Sequence, residues 1–205
     1  MHKNHRAVPT QKKMASLLRP KSRILDVGCG RWPAHAKFFE ALGHKADTVD
    51  FHEGATFRGD YNTLEIERRY DMVWCSHTLE HIVNPGFFIS KLRDNTKRGG
   101  WLAITVPILK DPIVGGHLTL WNAGLLLYHL VSARLDCSEA KIKTFDSDLS
   151  VLVKKKLFKM PALVHDNGDL ETLENYFPNG LLKEYREAGW MQGFPGTIAQ
   201  RNWKA

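Results

Sequence analysis

The segment Ile24-Leu25-Asp26-Val27-Gly28-Cys29-Gly30 constrains this chain more than any other stretch. A short apolar run closed by glycine reads as a strand buried in a parallel sheet. Gly28 and Gly30 then allow a sharp turn and a close backbone approach to a ligand, because no Cβ stands in the way. Pro33 suits the first turn of a helix expected over residues 34–42. Such a strand–turn–helix unit presents free amides at the strand's carboxyl end, where open α/β sheets bind ligands.

The residues that follow narrow the ligand. Residues 45–50 (Lys-Ala-Asp-Thr-Val-Asp) read as a second strand ending in Asp50, 20 positions after Gly30. An acidic side chain at that place grips a ribose diol in nucleotide-binding α/β folds. The nicotinamide fingerprint needs a third glycine where this chain has Pro33. Asp26 sets a further carboxylate just before the turn, which would repel a pyrophosphate but suits a cofactor bearing an ammonium and a sulfonium. Asp26 and Asp50 together therefore favour S-adenosylmethionine.

Leu25-Asp-Val-Gly-Cys-Gly30, Asp50, Gly59-Asp60, Tyr70-Asp-Met-Val-Trp-Cys75, Leu79-Glu-His81 and Arg98-Gly-Gly-Trp-Leu-Ala-Ile-Thr-Val-Pro107 occur in this order. Through them residues 23–156 resemble the class I S-adenosylmethionine-dependent methyltransferases, within them the type 11 group. The resemblance implies an α/β Rossmann-like methyltransferase fold: a mostly parallel seven-stranded sheet with a C-terminal β-hairpin and helices on both faces. It implies S-adenosylmethionine as cofactor and S-adenosylhomocysteine as product. The cofactor-binding residues it points to are Asp26, Gly28, Cys29, Gly30, Asp50, Phe51, Asp60, Tyr61, Ser76 and His77. Gly28 and Gly30 fall at the methionine end, Asp50 at the ribose, Asp60 against the adenine amino group and Tyr61 beside the ring. Trp32 stands where many members carry a small residue.

Taken in order, residues 8–19 read as an amphipathic helix with Met14, Leu17 and Leu18 on one face. The resemblance implies that it covers the sheet and the cofactor mouth. A short third strand is expected over 55–60, at a sheet edge, with a fourth over 70–76 and a fifth over 101–106. Asn84-Pro85 signals a helix start, and Gly99-Gly100 a stop after Lys97-Arg98. Asn122 caps an apolar helix over 123–131. Residues 140–145 and 149–154 flank Asp146-Ser147-Asp148 and read as a hairpin, which dinucleotide dehydrogenases generally lack. This divides the chain into a cofactor-binding domain, 1–156, with 1–22 as its leading helix, and an extension, 157–205, packed on or capping the same domain. The extension carries a helix over 181–188 and an aromatic, turn-rich end from Trp190 to Trp203.

A chain of 205 residues suits one domain with elaborations. No apolar stretch approaches the roughly 20 residues of a membrane span. The start lacks the apolar core of a signal peptide, so a cytoplasmic location is expected, with no membrane partner. Cys29, Cys75 and Cys137 are scattered without metal spacing and read as reduced, small hydrophobes. The net charge of +7 gathers in the first 23 residues and at Lys154-Lys155-Lys156. It reads either as solvated surface or as attraction to RNA or another polyanion. Nothing in the sequence sets an oligomeric state.

Methyl transfer from a sulfonium needs alignment and, for weak nucleophiles, removal of a proton. That points to the end of the fourth strand, where a helical turn would put His77, Glu80 and His81 on one face. Three readings stand open. His77 or His81 is a general base. Alternatively, Glu80, His81 and a later His117 hold a metal, as in the similar RNA 3′-terminal ribose and ubiquinone-pathway methyltransferases. Those carry Glu where this chain has His77, which points away from magnesium and towards a softer ion. In the third reading, Leu79-Glu80-His81 braces the loop. The chain lacks the Asn/Asp-Pro-Pro-aromatic motif of DNA amino-methyltransferases, the Pro-Cys of cytosine C5 enzymes and a Gly-Lys-Ser/Thr phosphate loop. The expected function is methyl transfer to an O or N acceptor of a small molecule. The alternative is a non-catalytic or RNA-directed module of the same fold, docking on nucleic acid through its basic face.

Overall fold

The computed structural model describes residues 7–189, 193–194 and 196–204. The chain runs α1 (Val8–Leu17), β1 (Arg23–Val27), α2 (Ala34–Ala41), β2 (Lys45–Asp50), β3 (Phe57–Arg58) and β4 (Tyr70–Ser76). A 3-10 turn at Leu79–His81 leads to α3 (Pro85–Asn95), β5 (Thr96–Pro107), α4 (Ala123–Ser132), β6 (Lys141–Phe145) and β7 (Asp148–Lys154). The remainder supplies α5 (Asp169–Thr172), α6 (Leu181–Glu187) and β8 (Gln200–Arg201).

Successive side chains of a strand point to opposite faces, and this alternation divides the core in two. Leu25 and Val27 of β1, Val73 and Cys75 of β4, and Leu102 and Ile104 of β5 face one way. There they meet Phe88 and Leu92 of α3 and Leu126 and Leu130 of α4. The intervening Ile24, Met72, Trp74 and Ala103 face the other way and pack with Met14 of α1 and Phe39 of α2. Helices thus lie on both faces. α3 and α4 begin where the sequence signals them, because the Asn84 and Asn122 side chains accept hydrogen bonds from the amides of Phe87 (3.2 Å) and Leu125 (2.8 Å).

The strand order is β3-β2-β1-β4-β5-β7-β6-β8. The first five strands are parallel, and β7, β6 and β8 are antiparallel to their neighbours. The expected hairpin is present, with Phe145 and Asp148 as its closing pair. The chain direction reverses across the sheet between β1 and β4, and their carboxyl ends open a crevice at that switch point.

Four expectations need correction. The sheet has eight strands in place of seven, because Gln200–Arg201 returns from the tail and pairs with Ile142 and Lys143. The third strand is two residues long, limited to the pairs Val49 with Phe57 and Asp50 with Arg58. α3 ends at Asn95 and not after residue 98: Thr96 already pairs with Tyr70, and residues 97–100 bulge out before Trp101 pairs with Met72. The leading helix covers the sheet, but none of its residues walls the cavity beside the glycine turn. Its Thr10 hydroxyl is instead hydrogen-bonded to Ser150 at 2.7 Å. Residues 1–6 and Trp190 lie outside the described residues.

Candidate active site

A cavity of about 670 Å³ lies at the carboxyl ends of β1, β2 and β4. Of the residues singled out from the sequence, Gly28, Gly30, Asp50, Phe51, Asp60, Tyr61, His77 and His81 wall it. Asp26, Cys29 and Ser76 do not, and lie behind the turn. Trp32 is 73% exposed and stays clear of the cavity. Thr78, Asn62, Val83, Phe87 and Phe88 complete the walls without having been singled out. Their side chains are chemically ordinary, and only the fold gathers them: Asn62 after β3, Thr78 and Val83 after β4, and Phe87 and Phe88 from α3.

The two glycines of the turn serve different ends. Gly28 has φ +77°, and a Cβ there would sit 2.0 Å from the Thr78 hydroxyl. That hydroxyl donates to the Val27 carbonyl at 3.2 Å, so the segment after β4 locks directly onto the turn. Gly30 has φ +70° with nothing within 4 Å of an added Cβ, so only its backbone conformation asks for glycine. Its amide donates to Asp50 Oδ2 at 2.8 Å, and the His52 amide donates to Oδ1 at 3.2 Å. Two backbone amides thus fix the Asp50 carboxylate at the cavity wall, at a place that suits a diol. Asp60 Oδ1 accepts from the amide and side chain of Asn62, both at 2.9 Å. The Tyr61 hydroxyl donates to Asn95 Oδ1 at 2.7 Å in the interior, so the cavity meets its ring and not its hydroxyl.

Behind the turn the polar groups are buried. Asp26 is 1% exposed and its Oδ2 has no hydrogen-bond partner. Burial, with a smaller push from Asp50, raises its carboxyl from 3.8 to about 7, against a backbone hydrogen bond from Ala36. Its register partner Trp74 has an unpartnered Nε1, and the Ser76 hydroxyl is likewise unpartnered. Burial and the charges of Asp26 and Asp50 push the Cys29 thiol up to about 12, so it stays protonated.

At the end of β4 the chain kinks through His77, which has φ +54°. The turn that follows is a three-residue 3-10 turn, not the helical turn expected, yet it still brings the three residues together. His77 Nδ1 lies 3.4 Å from Glu80 Oε1, and Nε2 lies 3.3 Å from Asp148 Oδ2. Burial lowers the pKa of His77, but Asp148 and Glu80 outweigh it and raise the imidazole to about 8. Asp148 arrives from the first position of β7, paired with Pro107 at the end of β5. The sequence reading leaves it in a turn. His81 Nδ1 contacts the Gly116 carbonyl oxygen at 2.7 Å, and the His117 ring stands edge-on at 5.0 Å. Ligand atoms of Glu80, His81 and His117 lie within 4.8 Å of one another.

A sheet ordered 3-2-1-4-5 and closed by an antiparallel hairpin, with a glycine turn and an acid-tipped second strand at its switch point, defines a class I S-adenosylmethionine-dependent methyltransferase. Residues 2–151 match the family model described as methyltransferase domain, and the chain belongs to that family. No sequence among curated proteins matches it. The fold is shared with solved structures of low sequence identity. One is the Burkholderia thailandensis 1,6-didemethyltoxoflavin-N1-methyltransferase, solved with 1,6-didemethyltoxoflavin and S-adenosylhomocysteine bound. It has 19% identity and a TM-score of 0.60, over 73% of this chain and 77% of that one. TehB from Haemophilus influenzae has 17% identity and a TM-score of 0.57, over 75% and 64%. A SAM-dependent methyltransferase from Aquifex aeolicus has 15% and 0.57, over 73% and 90%. The cofactor is S-adenosylmethionine, and the residues present fit it. A fixed carboxylate suits the diol, and aromatic and aliphatic walls suit a flat base. Among the described residues no helix is long and apolar enough to cross a membrane.

Proposed function

We propose that this methyltransferase carries the methyl group to an oxygen or nitrogen atom of a small molecule. The observation that carries the reading is one cavity walled both by Asp50 and by His77 and His81, a diol-holding acid together with imidazoles. Asp50 holds the ribose, and the backbone of Gly28, Cys29 and Gly30 faces the methionine end, backed by Asp26 and Ser76. Phe51, Asp60 and Tyr61 flank the adenine. When bound, the cofactor supplies a methyl group on a sulfonium, an excellent leaving group. The protein's own task is to align the acceptor and let it lose a proton. His77 faces a carboxylate with each ring nitrogen and acts as an orienting group. His81, held through Nδ1, keeps an Nε2 lone pair to receive a proton or bind an electrophile.

A small acceptor is favoured over RNA by where the basic residues lie. Lys154 pairs with Trp101 in the amino half of β5, at the opposite end of the strands from the cavity. Lys155 is spent on the carbonyls of Arg93 and Thr96, and Lys156 pairs with Asp136 at 2.7 Å. The Burkholderia enzyme, whose name places its methyl on N1 of a small molecule, supports the same choice. Three free, buried cysteines fit a cytoplasmic setting. We read 1–156 as the cofactor domain and 157–205 as its extension.

The test is calorimetry with S-adenosylhomocysteine on the wild-type chain and on Asp50→Ala. A loss of at least tenfold in affinity is expected, measured well below the melting temperature of the variant, which loses the acceptor of the Gly30 and His52 amides. Equal affinity would overturn the placing of the ribose.

A further inference from the structure

We propose that the face at the amino ends of the parallel strands binds a single strand of nucleic acid, in a trough centred on Arg98, Trp101 and Lys154. The bound strand is a docking partner and not the methyl acceptor, so its binding does not depend on the methyl-transfer reading above.

Three depressions of about 350, 290 and 350 Å³ adjoin one another on this face. Lys154 walls all three, Arg98 the first two, and Trp101 the first and third, so they form one branched trough. Its walls include Ser22, just before β1, and Asp71, at the start of β4. The cofactor cavity opens at the other end of β4, whose seven residues span roughly 20 Å.

The trough is cationic, and depth separates its signs. Lys155 turns its ammonium inward onto the Arg93 and Thr96 carbonyls. The other charged walls are six cations and three carboxylates. Asp71 and Asp136 are 19% and 8% exposed at the side chain, whereas their partners Arg19 and Lys156 are 87% and 77% exposed. The two carboxylates are also held by backbone amides, those of Arg23 at 2.9 Å and Ser138 at 3.0 Å. Arg98 and Lys154 are exposed and, among the described residues, enter no ion pair. The field leaving this face is therefore positive, which suits a chain of phosphates.

The face is also built to hold its shape. The bulge at residues 97–100 is pinned to the end of β7, where the Gly99 amide donates to the Lys155 carbonyl at 2.9 Å and the Lys155 amide to the Gly100 carbonyl at 2.7 Å. Arg98 thus stands on a fixed ridge, and little ordering is left for a ligand to impose. Trp101 packs in part against the core cluster of Ile24 and Leu152, and in part walls two of the depressions. A solvated basic surface explains the cations, but it asks for no indole among them. A phosphate chain with bases answers both, because bases stack on aromatic rings while cations track the backbone. An anionic lipid surface would meet the rim of a concave trough and leave the indole unused.

The experiment follows the fluorescence anisotropy of a labelled oligouridylate of about ten nucleotides at about 50 and about 200 mM salt. Phosphatidylserine vesicles are titrated alongside, and each variant is first checked by circular dichroism and its melting temperature. The wild type should bind the strand, more weakly at the higher salt. Arg98→Ala with Lys154→Ala should weaken binding at least tenfold and make the salt slope shallower by about 1.4, the loss of two phosphate contacts. Trp101→Leu should weaken binding about 5- to 100-fold and leave the slope unchanged. Lys37→Ala with Lys110→Ala removes the same charge outside the trough and should change affinity less than about twofold. Absence of binding at the lower salt overturns the site. So does an equal loss in the two double variants, which would reduce the effect to net charge. Should Trp101→Leu fail to fold, the two double variants still decide. Vesicle binding that exceeds oligonucleotide binding would replace the strand with a membrane surface and overturn the proposal.

Discussion

Asp26 sits in the middle of the first apolar run, and burial raises its carboxyl from 3.8 to about 7. The unfolded chain ionises it near pH 4, while the folded chain keeps its proton until about pH 7. Between those values the unfolded state binds fewer protons, so this residue makes stability fall as pH rises, with the full deficit present above pH 7. The gap corresponds to about 4 kcal/mol. Asp26→Asn removes the titration with little change of shape. Urea denaturation at pH 5 and pH 8 should therefore show the variant gaining about 2–3 kcal/mol on the wild type between the two, since part of the deficit is already present at pH 5. A constant difference would mean that Asp26 is hydrated or paired. The sequence marks this acid as a partner for a cationic cofactor. It does not tell that the side chain lies behind the cavity wall. The depth of a residue along a strand depends on what α2 packs over it.

The turn between β1 and α2 separates two meanings of glycine. Gly28→Ala forces a Cβ into the Thr78 side chain at 2.0 Å as well as a strained φ, whereas Gly30→Ala meets open space and pays only the strain. Gly30→Ala should cost about 1–2 kcal/mol, and Gly28→Ala about 2–3 kcal/mol beyond that through overpacking. Thermal melts of the two variants check the order, and equal melting temperatures would show that Thr78 rotates away freely. From the sequence the two positions look alike, because the residue that distinguishes them stands 50 positions from Gly28. By contrast, the caps of α3 and α4 are legible from Asn84 and Asn122 alone, since a cap bonds to an amide three residues away. β3 reads too long, because its length is set by how far β2 extends beside it.

Across the whole molecule, the tail belongs to the core that the first 156 residues build. Leu173, Phe177, Leu181 and Ile198 join the cluster under α3 and α4, while Trp203 joins Met14, Phe39 and Trp74 on the other face. β8 carries the chain between the two at the sheet's edge, with Arg201 ion-paired to Glu184 at 2.8 Å. Trp203→Ala should cost about 3 kcal/mol in urea denaturation, the penalty of removing a buried indole. A change within error would make the tail a peripheral addition. The sequence by itself determined the central strands β1, β2, β4 and β5, the hairpin, the glycine turn, the order of the acids and so the methyltransferase class. Apolar periodicity, glycine and capping residues act over a few positions and are written locally. Only the tertiary structure decided that Asp148 stands against His77, that His117 meets Glu80, that Thr78 fills the space above Gly28 and that an eighth strand closes the edge. A local pattern states which side chains must be buried, but the partners that bury them come from distant segments, and packing alone selects them.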